Sequence, residues 1–248
     1  ARPNEMLSWS AGAVFKPRKN ASVYASYGTS FNASVDAGAV GAALSDVVTS
    51  ANNINLEPEK TENLEVGGKW ELGGGRAIVT GALFRTTKTN ARTRTATTEP
   101  FVLDGEQRVD GVELGVNGHL TERWTVLAGY SHLESEFVRS KNPAEEGAQL
   151  AFTPENSFNL WTDYRLRAFS IGGGVQYMDS VFRNATNTAE VPSYWLAGAM
   201  AAYDVTNSLT LRLNANNLTD EQYVDRVGGG HYIPRAGRTL LLTAEFGF

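Results

Sequence analysis

Cysteine is absent from the 248 residues. That excludes a disulfide framework and any thiolate-built zinc site, and it suits a compartment where stray thiols are a liability. Histidine is scarce: His119, His132 and His231 are the three present, and they do not share a metal-ligand spacing, so no metal site and no cofactor is expected. Proline occupies 8 positions, which leaves long stretches free to pair as strands. The net charge of −5 shows no excess of cations, so a nucleic-acid partner is not expected. No run approaches the roughly 18 apolar residues of a membrane-spanning helix. Mean hydropathy is −0.28. Neither fact argues against a membrane, because a transmembrane barrel alternates apolar and polar residues and looks soluble on average. Ala1 falls in mid-pattern with no charged-then-apolar leader, so the expectation is a trimmed precursor or a part of something larger.

What is present is a period of two. In the last residues the apolar side chains alternate: Leu240, Leu242, Ala244, Phe246 and Phe248, with Thr239, Thr243, Glu245 and Gly247 between them. One face of that strand is apolar out to a terminal aromatic. A soluble strand has little reason to end so, whereas a strand facing lipid does; Leu240, Leu242, Phe246 and Phe248 are read as a membrane-insertion signal.

About eleven such strands follow from periodicity and turn residues. They span 6–16, 21–31, 60–72, 76–88, 107–118, 122–137, 153–166, 169–182, 193–205, 208–217 and 237–248. Most run about ten to fourteen residues, against about five or six in soluble sheets and about nine to eleven for a tilted membrane strand. Connections alternate short and long. The short ones fall at Pro17 to Asn20, Gly73 to Gly75, His119 to Thr121, Arg167 to Ala168 and Asp204 to Asn207; the long ones cover 32–59, 89–106, 138–152, 183–192 and 218–236.

Parity puts Leu64, Val66, Val126, Leu160, Ala199 and Leu211 on one face, toward lipid. It puts Glu65, Lys69, Arg85, Glu113, Asn159 and Asp163 on the other, toward a lumen. Aromatics gather at two heights: Trp70, Trp124, Tyr164, Tyr203 and Phe248 by the short turns, Trp9, Tyr27, Phe158 and Trp195 by the long loops. Two girdles are expected of a lipid-facing surface. Trp161 breaks the pattern and falls on the lumenal side. The fold class is therefore all-β, an antiparallel transmembrane β-barrel segment. Complete bacterial single-chain barrels have even strand counts, so an odd set ending at the periplasm reads as the C-terminal half of a barrel of about 22 strands. A complete barrel of about 12 remains open if a strand lies in 40–55.

Six segments, in order, resemble the TonB-dependent outer-membrane receptors. They are Tyr24 to Phe31, Asn55 to Gly67 with its Leu-x-Pro-Glu entry, Ala82 to Arg92, Gln107 to Leu114, Asn216 to Tyr223, and Pro234 through the terminal strand. The Lys88 to Arg92 stretch and Gly230-His231-Tyr232 are most similar to catecholate siderophore receptors of the Fiu type. The resemblance implies active uptake of a ferric siderophore across the outer membrane of a Gram-negative bacterium, energised through TonB, with iron present as cargo. It implies a plug domain and a first barrel half N-terminal to residues 1–248, and partners in the TonB complex, outer-membrane lipid, lipopolysaccharide and the barrel assembly machinery. A monomer with a periplasmic C-terminus is expected. The alternative is a passive porin-like channel, which the sequence upstream of Ala1 would separate from a plugged receptor.

An enzyme is not expected: His231, Asp225 and a serine could be imagined as a triad, but nothing anchors them. A ferric tris-catecholate is a trianion with aromatic faces, so its site needs fixed cations beside rings. Arg92, Arg94, Arg183, Arg226, His231, Tyr232 and Arg235 are the residues expected to carry it, within a wider set of Lys88, Phe101, Arg108, Arg139, Phe182, Tyr223 and Arg238. Lys88 to Arg94 and Arg226 to Arg238 stand out because each holds three cations and no acid.

Overall fold

The computed structural model describes residues 6–32, 57–94, 102–228 and 231–247, with the backbone path alone described for 225–228 and 231. Phe101 and Phe248 lie outside the described residues. The expected strands form one antiparallel sheet of 11 strands. They are β1 (Ser10–Arg18), β2 (Ala21–Asn32), β3 (Glu59–Leu72), β4 (Ala77–Thr93), β5 (Val102–Thr121), β6 (Trp124–Arg139), β7 (Asn156–Leu166), β8 (Phe169–Met178), β11 (Tyr194–Thr206), β12 (Leu209–Asn216) and β15 (Thr239–Phe246). Each pairs with the next along the chain, and β1 and β15 are the two edges. Two small hairpins were not foreseen: β9 (Val181–Phe182) with β10 (Glu190–Val191), and β13 (Val224–Gly228) with β14 (His231–Pro234). Their strands of two to five residues are too short to show a period. No helix occurs among the described residues.

Cross-strand partners share a face, so the register tests the parity. Val66 opposes Leu83, Leu83 opposes Val112, Val116 opposes Ala128, Ala128 opposes Leu160, Leu160 opposes Val175, Val175 opposes Ala197, and Ala199 opposes Ala215. The six residues assigned to lipid thus share one face across the sheet, and Glu65, Asn159 and Asp163 share the other. Aromatic rings pair across strands at both levels. Phe169 stacks on Tyr203 at 4.5 Å near the short turns, while Tyr177 meets Trp195 at 4.5 Å and Trp9 meets Tyr27 at 5.2 Å near the loops.

The apolar face has nothing of its own chain to cover it. Leu83 is 61% exposed, Ile171 59% and Leu242 70%, while the buried apolar side chains among the described residues are few and mostly small. Left in water, each large one forgoes about 1.5–3 kcal/mol relative to burial. A sheet of this kind needs lipid as the solvent of one face.

Two expectations change. Pro17 lies within β1, at the register shift between Phe15 and Arg18, where its missing N–H removes no regular ladder bond. Arg85 does not face the lumen: it opposes Leu64 on the apolar face. It sits toward the loop end, where its Nε bonds Asp110 Oδ1 at 2.6 Å. Arg108 lies 3.4 Å from Asp110 and also pairs with Glu136. The strands here run 17, 20 and 16 residues, well past the about nine to eleven that cross hydrocarbon. The ladder of charge therefore begins where lipid tails end.

Cysteine labelling tests this register. Single cysteines at Leu64, Val126, Leu160 and Leu211 of the full-length protein, in a background cleared of any cysteine outside these 248 residues and labelled with a fluorophore, should be quenched by brominated lipid. Those at Glu65, Asn159 and Asp163 should not. A shared response from both sets would show a register slipped by one residue, which inverts every assignment.

Candidate functional site

The loop end of the sheet is built by three local devices. The first is a bulge in β4. Asn90 takes a left-handed φ of 54°, and the β4–β5 register shifts on both sides of Ala91. Asn tolerates this conformation because its short side chain bonds locally; here Nδ2 donates to Pro58 O at 3.4 Å. Opposite, Gly105 leaves room that a Cβ would take from the Ala91 carbonyl. The bulge turns the Arg92 N–H toward Glu59, a carboxylate only 5% exposed, at 3.1 Å. Glu59 also accepts from Asn32 Nδ2 at 3.0 Å and pairs with Lys88 Nζ at 3.0 Å. Burial alone would raise its pKa, but Lys88, the Arg92 amide and Asn32 together hold it below the ordinary carboxylate value. The segment from Lys88 to Arg94 holds no acid in sequence, yet a buried acid from β3 offsets it.

The second device is the turn from 183 to 189. Asn184 Oδ1 accepts the amides of Thr188 and Ala189 at 3.1 Å each, and its Nδ2 reaches Thr188 Oγ1 at 2.6 Å. Asn187, at φ 53°, bonds Gln149 through both ends of its amide, at 2.7 and 2.9 Å. This tied turn holds Arg183, whose guanidinium lies 5.3 Å from the centre of the Tyr232 ring. Two of the expected site residues, from loops far apart in sequence, are thus brought together.

The third device is the corner after β12. Asn217, at φ 51°, donates to Glu221 O and accepts from Glu221 N, and Asp220, at φ 58°, accepts the Arg238 amide at 2.7 Å. A Cβ at Gly237 would stand 2.6 Å from Asp220 Oδ1, so a side chain there would push on the carboxylate that accepts the Arg238 amide. The corner brings Tyr223 beside Tyr194, ring centres 4.5 Å apart, and sets the Arg235 amide 3.3 Å from Tyr223 O. Below it opens a cavity of about 560 Å³ whose lining includes Arg235, Tyr223, Asn216, Gln176 and Asn159.

The expected cations therefore divide. Lys88, Arg108, Arg139 and Arg238 each pair with a carboxylate: Glu59, Glu136, Glu106 and Asp220 respectively. Arg183 is held against a ring, and Arg235 lines a cavity with Tyr223. Arg92 belongs to β4, four strands from β8, and Arg94 directly follows that strand; neither lines that cavity. The side chains of Arg226 and His231 lie outside the described residues. Sequence reasoning missed Tyr194, which has no cation near it in the chain. No group of three or more His, Cys, Asp or Glu able to hold a metal occurs among the described residues.

Residues 2–218 match the family model described as TonB dependent receptor-like, beta-barrel. The chain is 35% identical over 255 residues to a probable TonB-dependent siderophore receptor, PiuA, of Acinetobacter baumannii, covering 98% of this chain and 34% of that protein. The crystal structure of PiuA superposes with a TM-score of 0.87 over 96% of this chain and 35% of that one, at 35% identity. The catecholate siderophore receptor Fiu of Escherichia coli K12 is 32% identical over 256 residues, covering 100% of this chain and 33% of that protein. The ferrioxamine B receptor of Salmonella typhimurium is 33% identical over 178 residues, covering 68% of this chain and 25% of that protein. The chain spans about a third of the length of the first two.

The Glu59 cluster predicts a pH dependence. Because its folded pKa is depressed, its contribution to stability is complete above the unfolded value and is lost as pH falls through the lower, folded one. Urea unfolding of the full-length receptor in detergent should show Glu59→Gln less stable than wild type at neutral pH. The gap should close below the ordinary carboxylate range; a gap that widened with acid would contradict the assignment.

Proposed function

The chain belongs to the TonB-dependent receptor β-barrel family, and on that premise we propose that it is the C-terminal part of a receptor importing a ferric siderophore of the catecholate type, energised through TonB. The observation that carries the ligand class is the Arg183–Tyr232 contact, which sets a cation against a ring at the loop end of the sheet. A ferric tris-catecholate carries three negative charges and presents rings. A guanidinium held against an aromatic face offers both complements at once. Each desolvated contact of this kind supplies about 1–2 kcal/mol; loop charges left in water supply far less. Kinship alone does not choose the class, because one matched relative is named for catecholates and another for ferrioxamine B.

The remaining parts of the reading follow from the sheet. Its apolar face meets outer-membrane lipid, its polar face lines the lumen, and the short turns and C-terminus lie in the periplasm. The open edges at β1 and β15 meet the rest of a barrel of about 22 strands, whose N-terminal half and plug carry the TonB contact. The protein works as a monomer, without a resident cofactor; iron is cargo. The belt of Arg85, Asp110, Arg108 and Glu136 sits at the level of lipopolysaccharide headgroups. The exposed stripe of Leu240, Leu242 and Phe246, with the terminal Phe248 next in the sequence pattern, serves the barrel assembly machinery as an insertion signal.

The test is binding of an iron(III) tris-catecholate to the full-length receptor. Arg183→Ala with Arg235→Ala should weaken it at least about tenfold, or about 1.4 kcal/mol, and adding Arg92→Ala and Arg226→Ala should weaken it further. Arg85→Ala, on the outward face, should change nothing, and the amount of folded receptor should stay constant throughout. Unaltered affinity in the double variant would return these arginines to ordinary solvated surface.

A further inference from the structure

The apolar wall of the sheet is not uniform. On β6, β7 and β8, toward the short turns, it is indented by a groove of about 500 Å³ lined by Trp124, Thr162, Tyr164, Ile171 and Gly173. Register puts all five on the outward face: Trp124 opposes Tyr164, Tyr164 opposes Ile171, and Thr162 opposes Gly173. Asp163 and Gly172 border the groove from positions of the opposite parity. The three strands lie at least three strands from either open edge of the sheet. Neither the lumen nor the strands that complete a barrel adjoin this place, so what fills it comes from the membrane.

The groove has a fixed side. Trp124 Nε1 donates to Thr162 Oγ1 at 2.7 Å, and that hydroxyl donates to the Thr125 carbonyl at 2.9 Å. The one polar atom of the indole is thus satisfied within the sheet, and its apolar body is left to face the groove. Gly173 lines the groove without a side chain to fill it.

Two arginines stand in the turns just below. Arg123 directly precedes Trp124, and Arg167, at φ 56°, occupies the tight turn between β7 and β8. Both are exposed, and neither guanidinium has an ion pair, hydrogen bond or ring contact among the described residues. Arg165, on the lumenal face of β7, is instead taken by Asp204 at 2.9 Å. Glu122 shares the turn with Arg123 but pairs with neither arginine. Arg167 is three residues past Tyr164. At about 3.3 Å per residue and a tilt of about 45°, that is about 7 Å along the membrane normal. A headgroup layer is about 5–7 Å thick. The rings therefore sit at the acyl boundary while the guanidinium reaches the phosphates.

Building on the reading that this face meets outer-membrane lipid with the short turns in the periplasm, we propose that the groove binds an anionic phospholipid of the periplasmic leaflet. One acyl chain lies between Trp124 and Ile171, and the phosphate accepts from Arg123 and Arg167. A phosphodiester suits the paired donors of a guanidinium. Two arginines with no acid to offset them favour a headgroup of net negative charge over one whose ammonium cancels its phosphate. The site asks for chain and headgroup together, which sets it apart from the general contact of the wall with lipid.

Native mass spectrometry of the full-length receptor tests this, with phosphatidylglycerol and phosphatidylethanolamine of the same acyl chains offered in equal amounts. Wild type should retain phosphatidylglycerol at least about fivefold over phosphatidylethanolamine. Arg123→Gln with Arg167→Asn should bring that ratio to about one, asparagine keeping the left-handed backbone of the turn. Trp124→Leu should lower retention of both lipids, because the indole serves the chain. Arg76→Gln, in the turn between β3 and β4, should change neither. Equal retention of the two lipids by wild type would overturn the proposal. So would an equal loss from Arg76→Gln, which would mean a generally basic rim, or retention of the deacylated glycerol headgroup as strong as that of the whole lipid. Heat-modifiability on a gel reports the folded amount, and the arginine variants carry the test if Trp124→Leu folds poorly. Failure of the underlying reading shows separately, as a fluorophore at residue 160 that brominated lipid does not quench.

Discussion

A backbone amide left unpaired in hydrocarbon costs several kcal/mol, and the pairing of these groups governs where this chain can be irregular. Through the middle of the sheet the ladder is unbroken: β2 with β3, β3 with β4, and β8 with β11 keep one register along their whole paired length. The shifts gather near strand ends, at Phe15/Arg18, Thr89/Ala91, Glu106/Gln107, His119/Thr121 and Asp204/Thr206. There water can pair what the ladder drops. The bulge at Asn90 is tolerated because it lies at that boundary, and it is the bulge that aims the Arg92 amide at Glu59. Irregular backbone with polar work to do is confined to the membrane's edges.

The same constraint explains which parts of the fold were legible in the sequence. Lipid on one face and polar groups on the other force a period of two, so the strands and their parity could be read from residues such as Leu64, Glu65 and Val66. Where strands leave hydrocarbon the demand lapses. β4 continues to Thr93 and β5 begins at Val102, five residues beyond the expected bounds in each case, through stretches in which alternation carries no apolar signal. Arg85 was misplaced for a related reason. Residue type suggested a lumenal charge, but parity on β4 runs through Leu83 and sets Arg85 outward, where Asp110 from the next strand satisfies it. The hairpins near 181–191 and 224–234 were illegible because strands of two to five residues have no period to detect.

The candidate site was legible as residue types and illegible as partners. A cation's value to a ligand depends on what already holds it, and that is set by register. Lys88 and Arg92 looked uncompensated along the chain, yet Glu59 on β3 reaches both, through side chain and amide. Arg183 and Tyr232 looked unrelated, yet two loops bring them into contact. No local pattern encodes either fact. Both follow once the strand order fixes which loops are neighbours, and the asparagine-rich turn at 184–187 then decides how firmly Arg183 is held.

Trp161 shows how far period and composition reach. Parity puts it on the polar face, and no rule of membrane strands explains an indole there. The explanation lies on two other strands, in Gly174 and Gly198, at positions that meet it only when β7, β8 and β11 pair in this register. A glycine within a strand gives up side-chain packing and backbone order, about 0.5–1 kcal/mol relative to alanine. A ring laid over the gap recovers part of that by shielding the exposed backbone. Tyr24 over Gly67 and Phe84 over Gly111 achieve the same recovery. Stability alone therefore accounts for a ring over a glycine.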